Sequence, residues 1–346
     1  MIPFCPDALQ AARRGASILM GVLAVSVSPS VSAVGQSVFA TQVLASNTNG
    51  GAGGGIFNPA NALGAPGGAT AVHSLGIGGD LTLGFAVPIA NGPGADFLVG
   101  ENPFRLAGSW WQTFAETMFV EVSSDGLQFA RFPARYFGLP VPPGPFGTVP
   151  VGVYGNLAGQ HPVLAGAAGI DAQDVVDAGG DAFDLADLAG HPLVLGGGLD
   201  LGSITHVRLV DVQSGLSLDS AGVPIFDPGS GSADVDCVTV IHQQGLVAAG
   251  APSVELTILA DGTMTLRLSD PDGIADLDPA SLRGALFGIP VDAAGLLAGF
   301  QVQSVDATGF TLVQPVPLPA GLQFTLSVSL KDQAGNRSGA SRPRPN

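Results

Sequence analysis

The sequence predicts an all-β protein, and three observations carry the prediction. Glycine and proline, at 51 and 27 of 346 residues, interrupt the chain too often for long helices. The strong helix formers Lys and Glu are scarce, with one lysine, Lys331, and four glutamates, whereas 24 aspartates favour turns and caps. Between the breaks, large apolar residues fall on alternate positions, the period that turns one face of a strand toward a core. With 46% apolar residues the chain has surface to bury, so its glycines and prolines mark turns in a folded protein. The length implies two domains.

The N-terminus, residues 1–33, reads as an export signal. Arg13 and Arg14 form its basic region, Ala16 to Val27 its apolar stretch, and Val31-Ser32-Ala33 a small-residue cleavage site. The apolar stretch of 12 residues is too short to span a bilayer, and no later stretch of about 18 uninterrupted apolar residues occurs, so the expectation is a secreted or cell-surface chain without a transmembrane segment. Cys5 leaves with the signal. Cys237 is then alone in a β-branched run, where a small buried hydrophobe is expected and an internal disulfide is impossible.

Residues 35–249 form the first expected domain. Leu81, Leu83, Phe85 and Val87 alternate in one strand, and Met118, Val120 and Val122 alternate in another. Ser123-Ser124-Asp125-Gly126 turns that strand into a hairpin with Leu127–Phe132. Further strands are expected at Ser203–Val212 and Val235–Ile241, and Gly138–Gly147, with four prolines, must be a loop. After Gly250-Ala251-Pro252 the strands become compact. Val254, Leu256 and Ile258 lead into the turn Asp261-Gly262, and Met264, Leu266 and Leu268 lead out of it. With Phe310–Val313 and Phe324–Leu330, this spacing predicts an immunoglobulin-like sandwich over 250–338 that lacks the usual disulfide, followed by a disordered tail at 339–346.

An ordered series of motifs between 58 and 242 resembles a family of exported, mostly uncharacterised bacterial cell-surface proteins. It comprises Asn61–Pro66, Ser74–Leu83, Asn91–Phe97, Glu101-Asn102-Pro103-Phe104, Val120–Gly126, Ile204–Val212, Pro224–Pro228 and Asp234-Val235-Asp236. The same opening, hairpin and Val-Arg-Leu strand are similar to discoidin-like, galactose-binding jelly rolls. The resemblance implies a discoidin-like jelly roll for the first domain, with a calcium near the Asn58–Ala65 loop and Asp234 or Asp236. The Pro-Glu-Pro sorting tail of many members does not occur in this sequence.

A formal charge of −16, from 12 basic and 28 acidic residues, repels phosphate backbones and excludes nucleic acid as a partner. The acids themselves point elsewhere. Asp270, Asp272, Asp276 and Asp278 surround Gly273 at spacings that can converge oxygens on one calcium, or can simply form an acidic turn that caps local amides. Asp171, Asp174, Asp177, Asp181, Asp184 and Asp187 read as a solvated loop. For a polysaccharide ligand, Trp110, Trp111, Tyr136 and Tyr154 offer ring faces and Arg105 a charged donor.

Metalloprotease, nucleophile-elbow and phosphate-loop motifs do not occur. Glu101, Glu116 and Glu121 supply carboxylates for a glycan hydrolase, although the odd separation of Glu116 from Glu121 points them to opposite faces of a regular strand. The sequence therefore reads as a non-catalytic surface or matrix binding module for carbohydrate, with structural Ca2+. An envelope component and a glycan hydrolase are the alternatives.

Overall fold

A computed structural model describes residues 37–49, 55–68, 70–105, 109, 111–229 and 231–345. The export signal expected at residues 1–33 lies outside the described residues. The all-β expectation holds: among the described residues the longest helix is Ala293–Leu297, and none is long and apolar enough to cross a membrane.

The first sandwich is built on Asp80–Ile89, the strand that the 81–87 alternation predicts. It pairs antiparallel with Gln42–Asn47 on one side and Ile204–Asp211 on the other. Ile204–Asp211 continues the sheet to Met118–Ser123, which also carries its hairpin partner Ala130–Arg131 and the short strand Leu157–Ala158. A three-stranded layer, Asp181–Phe183, Phe97–Gly100 and Cys237–Val240, covers this sheet.

Between the layers lie Leu81, Leu83, Val120, Val122, Val207 and Leu209 from one side, and Phe97, Val99, Val238 and Val240 from the other. Each such side chain contributes about 1.5–3 kcal/mol of burial. Cys237 is buried and unbridged, as its surroundings in the sequence predict. Because Val120, Val122, Val207 and Leu209 turn inward, Glu121 and Arg208 turn to the other face, where Glu121 pairs with both Arg208 and Arg131. Glu121 is committed to that network.

The second sandwich has two four-stranded antiparallel sheets. One runs Ser253–Ile258, Met264–Ser269, Gly309–Val313, Gln301–Val305; the other runs Ile289–Val291, Leu277–Leu286, Thr325–Asp332, Arg337–Pro343. The Asp261-Gly262 turn forms as expected, with Gly262 at φ +88°, a conformation glycine adopts without strain. Val254, Leu266, Leu268 and Leu312 meet Phe324, Leu326, Val328 and Leu330 in its core.

Two expectations fail, and for one reason. The tail expected to be disordered at 339–346 is instead mostly strand: Arg337–Pro343 pairs along its whole length with Thr325–Asp332, and the Arg344 side chain is buried against the carbonyls of Ala260, Leu318 and Pro319. The acidic segment 171–187 is not a solvated loop. Asp171 pairs with Lys331 at 2.9 Å and Arg337 at 2.8 Å, Asp174 accepts the Ser329 hydroxyl at 2.9 Å, and Arg342 reaches Asp187 at 3.1 Å and Asp184 at 3.4 Å. Polar side chains on the last two strands face the first sandwich, so each polar stretch is the other's partner.

The seam is closed further by backbone. Gly94 bridges Gly339, and Gly152, at φ +90°, lies so close to the Phe324 backbone that a Cβ would collide with it. Val151, from the first sandwich, packs into the core of the second.

Candidate functional site

Two groups of carboxylates stand apart from this paired acidic segment. The first contains part of the predicted calcium site. Asp270 follows strand Met264–Ser269, Asp276 precedes strand Leu277–Leu286, and Asp332 ends strand Thr325–Asp332, directly opposite Leu277. One carboxylate oxygen from each of Asp270, Asp276 and Asp332 lies within 4.8 Å of the other two. That spread fits across a calcium shell, whose oxygens sit about 2.3–2.6 Å from the ion.

Asp270 is fully buried. Its Oδ1 accepts the Asp272 amide at 2.8 Å, but its Oδ2 has no hydrogen-bond partner. Burial raises its carboxyl above the usual range, and the charges of Asp276, Asp332 and Asp272 add to that. Asp332 is oriented by Asn336, whose amide N–H and side-chain Nδ2 donate to it at 2.8 and 2.6 Å.

The four acids predicted together do not stay together. Asp270 and Asp276 converge, whereas Asp272 is exposed and Asp278 accepts the Ala280 amide at 3.0 Å as a local cap. Asp332, from a distant strand, takes their place; its neighbours in sequence show no acidic pattern that would single it out.

The second group lies in the first sandwich. Glu101 follows strand Phe97–Gly100, Asp211 ends Ile204–Asp211, and Asp234 opens the short strand Asp234–Val235; Glu116 and Asp227 come from connecting segments. Asp211 accepts the amides of Gly78 at 2.8 Å and Ala233 at 3.1 Å, and Asp227 Oδ2 accepts the amide and hydroxyl of Thr117, both at 3.1 Å. Among the described residues none of the five makes an ion pair.

Burial pushes Glu116 up to about 8, with Asp234, Asp227 and Asp211 adding their repulsion. Burial likewise brings Asp227 to about 7 and Asp211 to about 6, and holds Asp234 above the usual range. Glu101 is raised well above its usual value by burial, then by Asp234 and Glu116.

Asp211 and Asp227 form part of the wall of an open cleft of about 410 Å³, together with Asn49, Ile77, Gln213 and Ser214. Gly231 lines the same cleft, and a Cβ on it would collide with Glu116 Oε1, so Glu116 lies directly behind that wall. A cleft that joins polar groups to perturbed carboxylates is the default place to look for binding or chemistry.

Sequence reasoning did not assemble this group. Four of its members nevertheless sit in motifs of the surface-protein resemblance, at Glu101, Asp211, Asp227 and Asp234, and only Glu116 lies outside them. The predicted calcium ligands of the first domain divide. Asp234 belongs to the group, while Asp236 accepts the Gly67 amide at 2.8 Å and the Asn102 side chain at 3.3 Å.

The residues proposed for sugar stacking do not gather. Trp110 lies outside the described residues. Trp111 is exposed, with its carbonyl accepting the Val151 amide at 2.9 Å. Arg105 donates to the Phe287 carbonyl across the domain seam. Tyr136 and Tyr154 are buried with ring centroids 5.6 Å apart, and their hydroxyls donate to Leu139 and Phe226 carbonyls at 2.8 Å each. Both tyrosines are core residues and present no face to a ligand.

Compared with known protein families and with curated proteins, the chain matches none.

Proposed function

We propose that this protein is an exported, non-catalytic surface or matrix module that binds polysaccharide through the cleft of a discoidin-like first domain. The observation that carries the reading is the cleft itself. It lies where strand Ile204–Asp211 ends, and it sets the amides of Asn49 and Gln213, the Ser214 hydroxyl and two carboxylates beside the exposed apolar Ile77 and Leu216. Hydroxyl-rich ligands are held by this mixture of polar groups and apolar faces. Structural Ca2+ at Asp270, Asp276 and Asp332, in an immunoglobulin-like second domain, completes the proposal; the unpartnered Asp270 Oδ2 supports it. A glycan array probed with the intact protein, with and without calcium, tests the reading. Binding to cell-wall or extracellular polysaccharides is the expected result, and a blank array in both conditions overturns it.

One observation favours a second reading, a glycan hydrolase. Glu116, raised to about 8, keeps its proton at neutral pH as a general acid must. Turnover of a polysaccharide, lost in Glu116→Gln, would establish it; binding without turnover leaves the module reading in place.

A further inference from the structure

We propose that calcium at Asp270, Asp276 and Asp332 fastens the two sandwiches together, because the hairpin that supplies Asp332 also carries the two bases that clasp Asp171 of the first sandwich. The inference rests on the calcium reading above and gives that site a second role, regulation of the domain seam.

Metal set and clasp meet in one turn. Strand Thr325–Asp332 turns through 333–336 into strand Arg337–Pro343, with Gly335 at φ +89° and Lys331 directly opposite Arg337. Lys331 and Arg337 both reach Asp171, at 2.9 and 2.8 Å. Asp332 follows Lys331 in the chain, and Asn336 precedes Arg337. The Asn336 amide and side chain donate to the Asp332 carboxylate at 2.8 and 2.6 Å. Gln333 ties the same turn to the other side of the metal set, donating its amide to the Asp276 carbonyl at 2.7 Å and its side chain to the Leu277 carbonyl at 3.1 Å. The position of Asp332 therefore sets the position of both bases.

The three carboxylates need a cation to stay together. One oxygen from each lies within 4.8 Å of the other two, and Asp270 and Asp332 are buried, so charges left unneutralised there push the hairpin away from the 270–276 loop. Asp270 Oδ2, fully buried, faces the charges of Asp276 and Asp332 and has no hydrogen-bond partner. Protonation does not satisfy it, because no partner lies within hydrogen-bond distance of that oxygen. Calcium reverses the force. It draws its oxygens to about 2.3–2.6 Å and so holds the hairpin, with Lys331 and Arg337, where the two bases meet Asp171. The same loop lies against the linker between the sandwiches, since a Cβ on Gly250 would collide with Asp272 Oδ2.

The test is hydrogen exchange on the intact protein, read by NMR at the Ala95 amide, which donates to the Gly339 carbonyl across the seam at 2.8 Å. Saturating calcium chloride is expected to slow this amide about fivefold or more, the lower end of ordinary coupling between sites, and chelation to restore the rate. Sodium chloride at equal ionic strength is expected to speed it, because salt screens the Asp171 pairs, and equal slowing by both salts overturns the inference. The calcium effect should be lost in Asp332→Asn and in Asp270→Asn, made separately so that one misfolded variant does not decide the matter. It should also be lost in Asp171→Asn, which keeps all three ligands and cuts the clasp. Calcium that binds by calorimetry and slows the Asn336 amide while Ala95 exchanges unchanged overturns the inference and leaves the calcium reading standing. Slowing at Ala95 that survives Asp171→Asn also overturns it, since calcium would then be stabilising the second sandwich as a whole. No calcium binding overturns both.

Discussion

Two acid-rich regions of this molecule have opposite fates. The segment 171–187 is conspicuous as a run of aspartates, and it is consumed by structure, each of Asp171, Asp184 and Asp187 meeting a base from the last strand of the second sandwich. The group at Glu101, Glu116, Asp211, Asp227 and Asp234 is dispersed along the chain, yet it is the one left without a counter-charge and beside a cleft. Density of acids in sequence is therefore no guide to function here. What matters is whether the fold supplies a partner, and in the segment 171–187 the same burial that would raise Asp171 is outweighed by Lys331 and Arg337, which hold it at about 2.

The largest expected effect concerns the third set of acids, Asp270, Asp276 and Asp332 in the second sandwich. If calcium is its partner, saturating the protein at a hundredfold excess over the dissociation constant adds about 2.7 kcal/mol to stability. Chelation should then lower the melting temperature well beyond the effect of added salt, and Asp332→Asn and Asp270→Asn should each remove that sensitivity. Asp272→Ala should leave it intact, because Asp272 is exposed and outside the converging set. Melting curves with and without chelator check all three.

The comparison itself is sharpest when the same substitution is made on both sides. Asp171→Asn removes the acceptor of two ion pairs at the seam and should cost about 1 kcal/mol in urea unfolding at pH 7, an effect that shrinks in high salt. Glu116→Gln should do the reverse. At pH 8 to 9 it removes a charge that burial and three acids disfavour, and the melting temperature should rise by a few degrees or stay level. A fall equal to that of Asp171→Asn would erase the distinction between the two regions.

The smallest effect is the pH profile. Glu116 and Asp227 are raised in the folded protein, to about 8 and about 7, so their contribution is complete below the usual carboxylate range and is lost as pH rises through those values. Asp171 is lowered, to about 2, so its contribution is complete above its usual 3.8 and is lost as pH falls through 2. Together they place the stability maximum on the acid side of neutrality. A thermal-melt series across pH checks this, and a maximum near pH 8 would contradict the burial of the first-domain group.

Much of the fold was legible because its signals are local. Leu81, Leu83, Val120 and Val122 alternate, and a strand needs only that period to know which face is buried. The hairpins at Asp125-Gly126 and Asp261-Gly262 follow from glycines at φ +74° and +88°. The same local logic misread the stretch from Gly339 onward as a frayed tail, although it pairs as a strand through Pro343 and its Arg342 meets acids of the first sandwich. It also took Tyr136 and Tyr154 for ligand faces, although each buries its ring and satisfies its hydroxyl on a carbonyl.

The sites divide along the same line. Residue types and turn spacing alone determined that acids would dominate and that Asp270 and Asp276 flank a tight turn. Only the tertiary structure decided which acids meet. Asp332 joins Asp276 because register sets Leu277 opposite it, and Asp211 and Asp227 come together with Glu116 because strand ends and connecting segments converge on one edge of the sandwich. Electrostatic energy depends on distance through space and on exclusion of water, and neither quantity is written along the chain.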